Sequence, residues 1–296
     1  MRLLVVGANG LLGSNVVTAG QNRSWRVSGT YHSERPAFDV PLSQFDLEGA
    51  HRFDEFLEEH DPDIVVNCAA MTDVDACEAE PKRAERLNGD APGRMAACCH
   101  SRDTEFVQVS TDYVFDGTSR DPYPEDAEPA PLQAYGESKL TGERAVGGEK
   151  GASIIPRLSF VWGVNRATGE LAGFPAWVRD RLGRDESIPL FTDQWVSPTR
   201  AGNAAETLLD LIEQNVTGLY HVTSRSCVTP YGFGELIADA VDAPDGLLTE
   251  GSTAAIEREA ARPTHTCLDV TKVESTLSRP QPTVREDVVT LCGRYI

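Results

Sequence analysis

The chain opens with Met1-Arg2-Leu3-Leu4-Val5-Val6 and passes at once into Gly7-Ala8-Asn9-Gly10-Leu11-Leu12-Gly13. The apolar run Leu3 to Val6 reads as a buried strand, and Leu11 to Ala19 reads as the helix that follows it. Glycines at this spacing allow a tight turn and bring backbone N–H groups close to a pyrophosphate at the helix N-terminus. Spacing alone is weak, because a chain with 25 glycines produces such triplets by chance. Its position in the first strand–helix turn of an alternating pattern gives it weight and points to dinucleotide binding.

The alternation continues. Trp25 to Tyr31 reads as a second strand, and Ile64 to Val66 and Phe106 to Val109 as two of the fully buried kind. Phe53, Phe56 and Leu57 recur at i, i+3 and i+4, which places a helix before Asp61-Pro62, and Pro81 to Cys99 is expected to be helical. Strands alternating with helices predict an α/β fold with a doubly wound parallel sheet of the Rossmann type. Residues 118–132 are rich in Pro, Asp and Glu without an apolar period, as in a functional or mobile loop. Past Pro156 the pattern becomes irregular, with a strand at Leu219–Thr223 and a helix at Tyr231–Val241. The reading is a dinucleotide-binding domain over 1–160 and a smaller, mainly substrate-binding lobe over 161–296. Late strands are free to return to the first sheet.

Three further stretches carry chemistry. The second strand ends in Gly29-Thr30-Tyr31-His32-Ser33-Glu34-Arg35. An NAD site places a carboxylate near this point for the ribose 2′-hydroxyl. Here His32, Ser33 and Arg35 suit a 2′-phosphate, which favours NADP(H) over NAD(H), with Glu34 close by as the contrary feature. Tyr135-Gly136-Glu137-Ser138-Lys139 sets a phenol and an ammonium on one helix face. A free phenol titrates at about 10; a neighbouring Lys⁺ and a nicotinamide cation would draw it toward neutrality and make it a usable acid. Ser110-Thr111-Asp112-Tyr113 follows the strand Phe106–Val109, where hydroxyls can bind a carbonyl oxygen and its developing charge. Asn67-Cys68-Ala69-Ala70 ends another strand, with small residues that let a cofactor pass. Ligands of doubly wound sheets bind at this carboxyl edge.

Together these residues resemble the extended short-chain dehydrogenase/reductases, and within them the dTDP-4-dehydrorhamnose reductase family. The resemblance runs over most of the chain to about residue 200. It is carried by Gly7–Gly13, Asn67–Ala70 with Asp73–Asp75, Asn88, Tyr135–Lys139 with Gly142-Glu143, Arg157, and Asp193-Gln194 with Pro198-Thr199. The run Ser110-Thr111-Asp112-Tyr113-Val114-Phe115-Asp116-Gly117 is the most specific part of it.

The resemblance implies an NAD(P)H-dependent oxidoreductase that reduces a 4-keto group on a nucleotide-linked deoxysugar. Tyr135 would protonate the oxygen, Lys139 would tune Tyr135 and hold the ribose, and Thr111 would orient the carbonyl. The cofactor would meet Gly7, Asn9, Gly10, Leu11, Leu12 and Gly13, with Asp46 and Leu47 at the adenine and Cys68, Ala69 and Ala70 along its path. Asp112 would lie in the substrate pocket. Where the family often has Arg-Thr-Ser-Trp-Val-Tyr-Gly, this chain reads Arg157-Leu158-Ser159-Phe160-Val161-Trp162-Gly163. Phe160 thus replaces a tryptophan used against the sugar nucleotide. A dianionic pyrophosphate needs local cations, for which Arg157 and Arg184 are the candidates, with internal salt bridges as their other reading. Two other functions stay open. One is an NADP-binding regulatory subunit of the methionine adenosyltransferase type; the other is a sugar-nucleotide epimerase. A dehydratase is disfavoured because only one acid, Asp112, follows Thr111.

Composition narrows the partners. With 27 basic and 46 acidic residues the formal charge is −19, which argues against a nucleic-acid surface. No stretch approaches the roughly 18 to 20 apolar residues of a membrane helix. The expected partner is a small nucleotide sugar, with a homodimer left open. The seven cysteines are scattered without a C-x-x-C pair, so they are expected to be reduced, mostly buried and without a metal, as in a cytoplasmic protein. Among the basic residues only Lys82, Lys139, Lys150 and Lys272 are lysines. An acidic, lysine-poor surface fits a high-salt cytoplasm, where screening over about 3 Å at 1 M salt mutes self-repulsion. Thermal melting is expected to move to higher temperature between low salt and molar KCl; no gain in KCl would contradict the halophilic reading.

Overall fold

The alternation of buried side chains along the first strand sets the layers of the computed structural model, which describes residues 1–148 and 153–296. In order, the strands are β1 (Arg2–Val6), β2 (Arg26–Tyr31), β3 (Leu42–Gln44), β4 (Ile64–Asn67), β5 (Glu105–Gln108), β6 (Ser110–Thr111) and β7 (Ser153–Leu158). There follow β8 (Val161–Val164), β9 (Leu171–Ala172), β10 (Ile188–Phe191), β11 (Thr199–Arg200), β12 (Gly218–His221) and β13 (Leu248–Gly251). The first helices are α1 (Leu11–Asn22), α2 (Phe53–His60), α3 (Val74–Ala79), α4 (Pro81–Ala84), α5 (Ala91–His100) and α6 (Ala134–Gly148). The later ones are α7 (Phe174–Leu182), α8 (Ala201–Glu213), α9 (Pro230–Ala240), α10 (Thr271–Leu277) and α11 (Val284–Leu291). Among the described residues no helix is long and apolar enough to cross a membrane.

The main sheet runs β12-β7-β5-β4-β1-β2-β3, all parallel, with β6 also on β7. Successive strand residues face opposite sides. Leu3 and Val5 enter a core with Val16, Val17, Leu208, Leu209, Ile212 and Val273 from α1, α8 and α10. Leu4 and Val6 enter the opposite core with Phe53, Leu57, Met95, Cys99 and Val146 from α2, α5 and α6. Strand order reverses at β1, and the crevice of a doubly wound sheet opens there. The helix expected over Pro81–Cys99 spans Pro81–His100 with a widened, π-type turn at Glu85–Asp90. That turn holds Asn88, which bonds both Met71 N–H and Met71 C=O at 2.9 Å.

The chain beyond residue 160 contributes to both layers. β12, α8 and α10 complete the main sheet's core, whereas Trp162, Val178, Ile188, Phe233, Ile237 and Val288 form a second one. The β10–β13 pair and the β11-β8-β9 sheet carry this second layer. The 118–132 loop is pinned: Phe115 stacks on Tyr123 at 4.2 Å, and Glu125 accepts from His221 N–H at 2.9 Å.

One open reading is decided and two expectations are corrected here. Arg157, on the fully buried β7, is 2% exposed and is clasped by Glu143 through two bonds of 2.8 and 2.7 Å, with its guanidinium over Phe115. A buried guanidinium requires a counter-charge, so Arg157 is structural and does not reach a pyrophosphate. Arg184 lies on the surface, its nearest carboxylate Glu186 at 3.8 Å. The cysteines are not all reduced, since Cys227 and Cys267 form a disulfide. Arg157→Met strands the buried Glu143 carboxylate and is expected to cost about 3–5 kcal/mol in urea unfolding. Arg184→Ala should leave the transition in place. An Arg157→Met variant as stable as the parent would contradict the buried-pair reading.

Candidate active site

A cleft of about 850 Å³ opens at the carboxyl ends of β1, β2, β4 and β6, closed over by α6 and the segment after β7. Its floor is the glycine turn. Gly7 has a φ of +84°, and a Cβ there would stand 3.1 Å from Ala69 N. A Cβ on Gly13 would collide with the Gly7 carbonyl, so only glycine lets α1 sit this close to β1. The N-cap of α1 is Gly10, which has no side chain to satisfy the first-turn N–H groups. Asn9, Gly10, Leu11, Leu12 and Gly13 all line the cleft. Uncapped donors at a helix N-terminus fit a pyrophosphate.

At the next strand tip, Tyr31, His32, Ser33 and Glu34 line the cleft; Arg35, exposed, does not. Asp46 Oδ1 caps the turn after β3 by accepting from Glu48 N–H at 3.0 Å, and its other oxygen lies 3.5 Å from His32 Nε2. Asp46 and Leu47 both line the cleft, as do Cys68, Ala69 and Ala70 at the tip of β4. The guanidinium at this end belongs to Arg83, a residue without a sequence signal, held 3.3 Å from Glu48.

The other end holds the titratable groups. Lys139 is only 4% exposed, and its ammonium donates to the Val109 carbonyl at 2.6 Å. Burial lowers its pKa to about 8, opposed by the Glu143 charge. Burial pushes the Tyr135 phenol well above its ordinary value, and the Thr111 hydroxyl works the other way. Lys139 does not supply the expected downward shift: its ammonium is engaged by a backbone carbonyl, and desolvation of the phenolate dominates. Tyr113 meets the Tyr135 ring edge-on at 6.0 Å.

Thr111 donates to Asp112 at 3.1 Å and accepts from Tyr113 N–H at 3.2 Å. Asp112 is buried and accepts from the Ser159 hydroxyl at 2.7 Å. Burial raises its pKa to about 6, against the hydroxyls of Thr266, Ser159 and Thr111. Phe160 lines the cleft with a left-handed φ of +44° and packs on Phe174 at 5.4 Å. A non-glycine residue held in that region is strained, as functional residues often are. Outside the cleft lining Arg262 pairs with Asp75 at 2.9 Å, and Arg258 lies over Phe191; both charges act on the Tyr113 phenol. Thus Tyr135, Lys139, Thr111, Asp112 and Phe160 share one cleft with the glycine turn, while Arg35 and Arg184 stay outside it. Ser159, Thr266, the Val109 carbonyl and Arg83 are additions that only the fold brings in.

The RmlD substrate binding domain family model matches residues 1–295. The probable low-salt glycan biosynthesis reductase Agl14 of Haloferax volcanii is 48% identical over 291 residues, covering 98% of this chain and 97% of the relative. Methionine adenosyltransferase 2 subunit beta of Pongo abelii is 30% identical over 93% of this chain and 82% of its own length. The structure of a dTDP-4-dehydrorhamnose reductase from Bacillus anthracis in complex with NADP superposes with a TM-score of 0.84 at 25% identity, covering 98% of this chain and 97% of that one. The chain belongs to the dTDP-4-dehydrorhamnose reductase family of NAD(P)-dependent oxidoreductases.

Proposed function

We propose that the protein reduces the 4-keto group of a dTDP-linked deoxysugar with NADPH. The observation that carries this reading is the convergence of a phenol, a buried ammonium and a strand-tip hydroxyl on the cleft floored by the glycine turn. A bound nicotinamide supplies the hydride. Tyr135 gives its proton to the carbonyl oxygen, Thr111 orients that oxygen, and Lys139 holds the ribose and the phenol's charge state. Asp112 and Phe160 face the sugar.

The preference for NADPH now rests on His32, Ser33 and Arg83, since Arg35 stays outside the cleft and Asp46 stands beside His32. The likeness to methionine adenosyltransferase 2 subunit beta keeps one other reading in view, a regulatory subunit that holds NADP without consuming it. The intact Tyr135 and Lys139 favour turnover.

Purified protein in molar KCl should oxidise NADPH, followed at 340 nm, when given dTDP-4-dehydrorhamnose. Tyr135→Phe is expected to lose on the order of 10² in turnover with NADPH binding retained, and Lys139→Ala to lose at least as much with NADPH binding weakened as well. A fully active Tyr135→Phe would contradict the proton-donor role, and NADPH binding without consumption would favour the regulatory reading.

A further inference from the structure

Behind the sugar end of the cleft, three separate segments are tied to one another. Val196 lines the cleft and exchanges backbone hydrogen bonds with Val228 at 2.9 and 3.0 Å. On the other side Trp195 N–H donates to Thr264 C=O at 2.7 Å, Thr266 N–H donates to Trp195 C=O at 2.9 Å, and Leu268 N–H donates to the Ser197 hydroxyl at 3.2 Å. The Cys227–Cys267 disulfide joins the two outer segments across 40 residues, with Cα atoms 5.5 Å apart. His265 Nε2 lies 3.6 Å from Cys227 Sγ, while its buried Nδ1 has no partner. Thr266, between His265 and Cys267, stands by the Asp112 carboxyl.

We propose that Cys227, His265 and Cys267 form a reversible thiol-redox site that fixes the wall of the substrate pocket. Cys227 is half-buried and Cys267 fully buried, so an incoming thiolate reaches Cys227 Sγ. With a dithiol reductant the S–S bond breaks, Cys267 leaves as a thiolate and takes up a proton, and the reductant's second thiol displaces Cys227. The protein then holds two thiols and the reductant is a disulfide; a small-molecule disulfide runs the step backwards as the two-electron oxidant. In the reduced form the His265 imidazole receives the Cys227 S–H hydrogen bond. The remaining cysteines do not compete. Burial pushes the Cys68 thiol up to about 12 and Cys77 up to about 11, raises Cys98 and Cys99 as well, and Cys292 sits alone on the surface. Opening the bond leaves 226–228 and 264–268 joined only through the hydrogen bonds that each makes to 195–197, which loosens the wall that carries Val196 and Thr266. The redox step stands by itself; its effect on substrate affinity rests on the function proposed above.

The full chain, isolated without reductant, is counted for thiols with maleimide in denaturant, melted, and assayed before and after dithiothreitol. Five reactive thiols are expected before reduction and seven after it. Reduction should lower the melting temperature by about 5 °C or more, change the fluorescence of Trp195 beside His265, and raise the KM for the sugar nucleotide at least about threefold with the Kd for NADPH unchanged. Cys227→Ser should behave like the reduced parent and ignore dithiothreitol. Seven thiols before reduction, or one stoichiometric zinc in the isolated chain, would overturn the redox site. An unchanged KM after the thiol count rises would overturn its coupling to the pocket. If neither form turns over, the function has failed instead, and thiol count, melting and fluorescence still decide the site.

Discussion

The buried ammonium of Lys139 is the group on which the rest of the site depends. It donates to one backbone carbonyl, Val109, just past the end of β5, and this bond registers α6 against the sheet edge. The helix can lie there because Gly136 faces the Tyr113 carbonyl, which a Cβ would strike. The same docking brings Asn88 of the widened turn within 3.1 Å of the Ser138 hydroxyl. Tyr135, four residues before Lys139, is thereby delivered to Thr111. Sheet edge, helix and widened turn are one arrangement for holding a charged amine where water is scarce.

Burial moves three titratable groups of this arrangement toward their neutral forms. Asp112 is raised, Tyr135 is raised and Lys139 is lowered, each with desolvation as the leading cause. An enclosed site of this kind keeps the phenol protonated, which is the form a proton donor must start from. Positive charge placed beside it would favour the phenolate and ease release of the proton. One guanidinium, that of Arg83, stands in the cleft lining itself.

Much of this is legible in the residues. The apolar run Leu3 to Val6 leads straight into three glycines, a pattern that fits a strand entering a phosphate-binding turn. Tyr135 and Lys139 are visible because side chains four apart on a helix share a face. What escapes are contacts between parts distant in sequence. Ser159 donates to Asp112 from 47 positions away, a pairing that no local pattern records. Arg157 reads equally as an anion ligand or as half of an internal salt bridge because a lone arginine carries no mark of burial; its partner Glu143 on α6 is revealed only when β7 and α6 pack. The disulfide escapes for the same reason, since Cys227 and Cys267 lie 40 residues apart and meet only across the Trp195–Ser197 segment.

The most direct test of the account is the ionisation of Tyr135 itself. Ultraviolet difference titration of the parent minus Tyr135→Phe isolates that one phenol. Without nucleotide it should remain protonated beyond the ordinary tyrosine range, as its burial dictates. With saturating NADP⁺ its midpoint should fall by about one unit or more, roughly 1.4 kcal/mol or more of preference for the phenolate. A midpoint that is the same with and without NADP⁺ would mean that Tyr135 does not face the nicotinamide, and the proposed reduction would lose its proton donor.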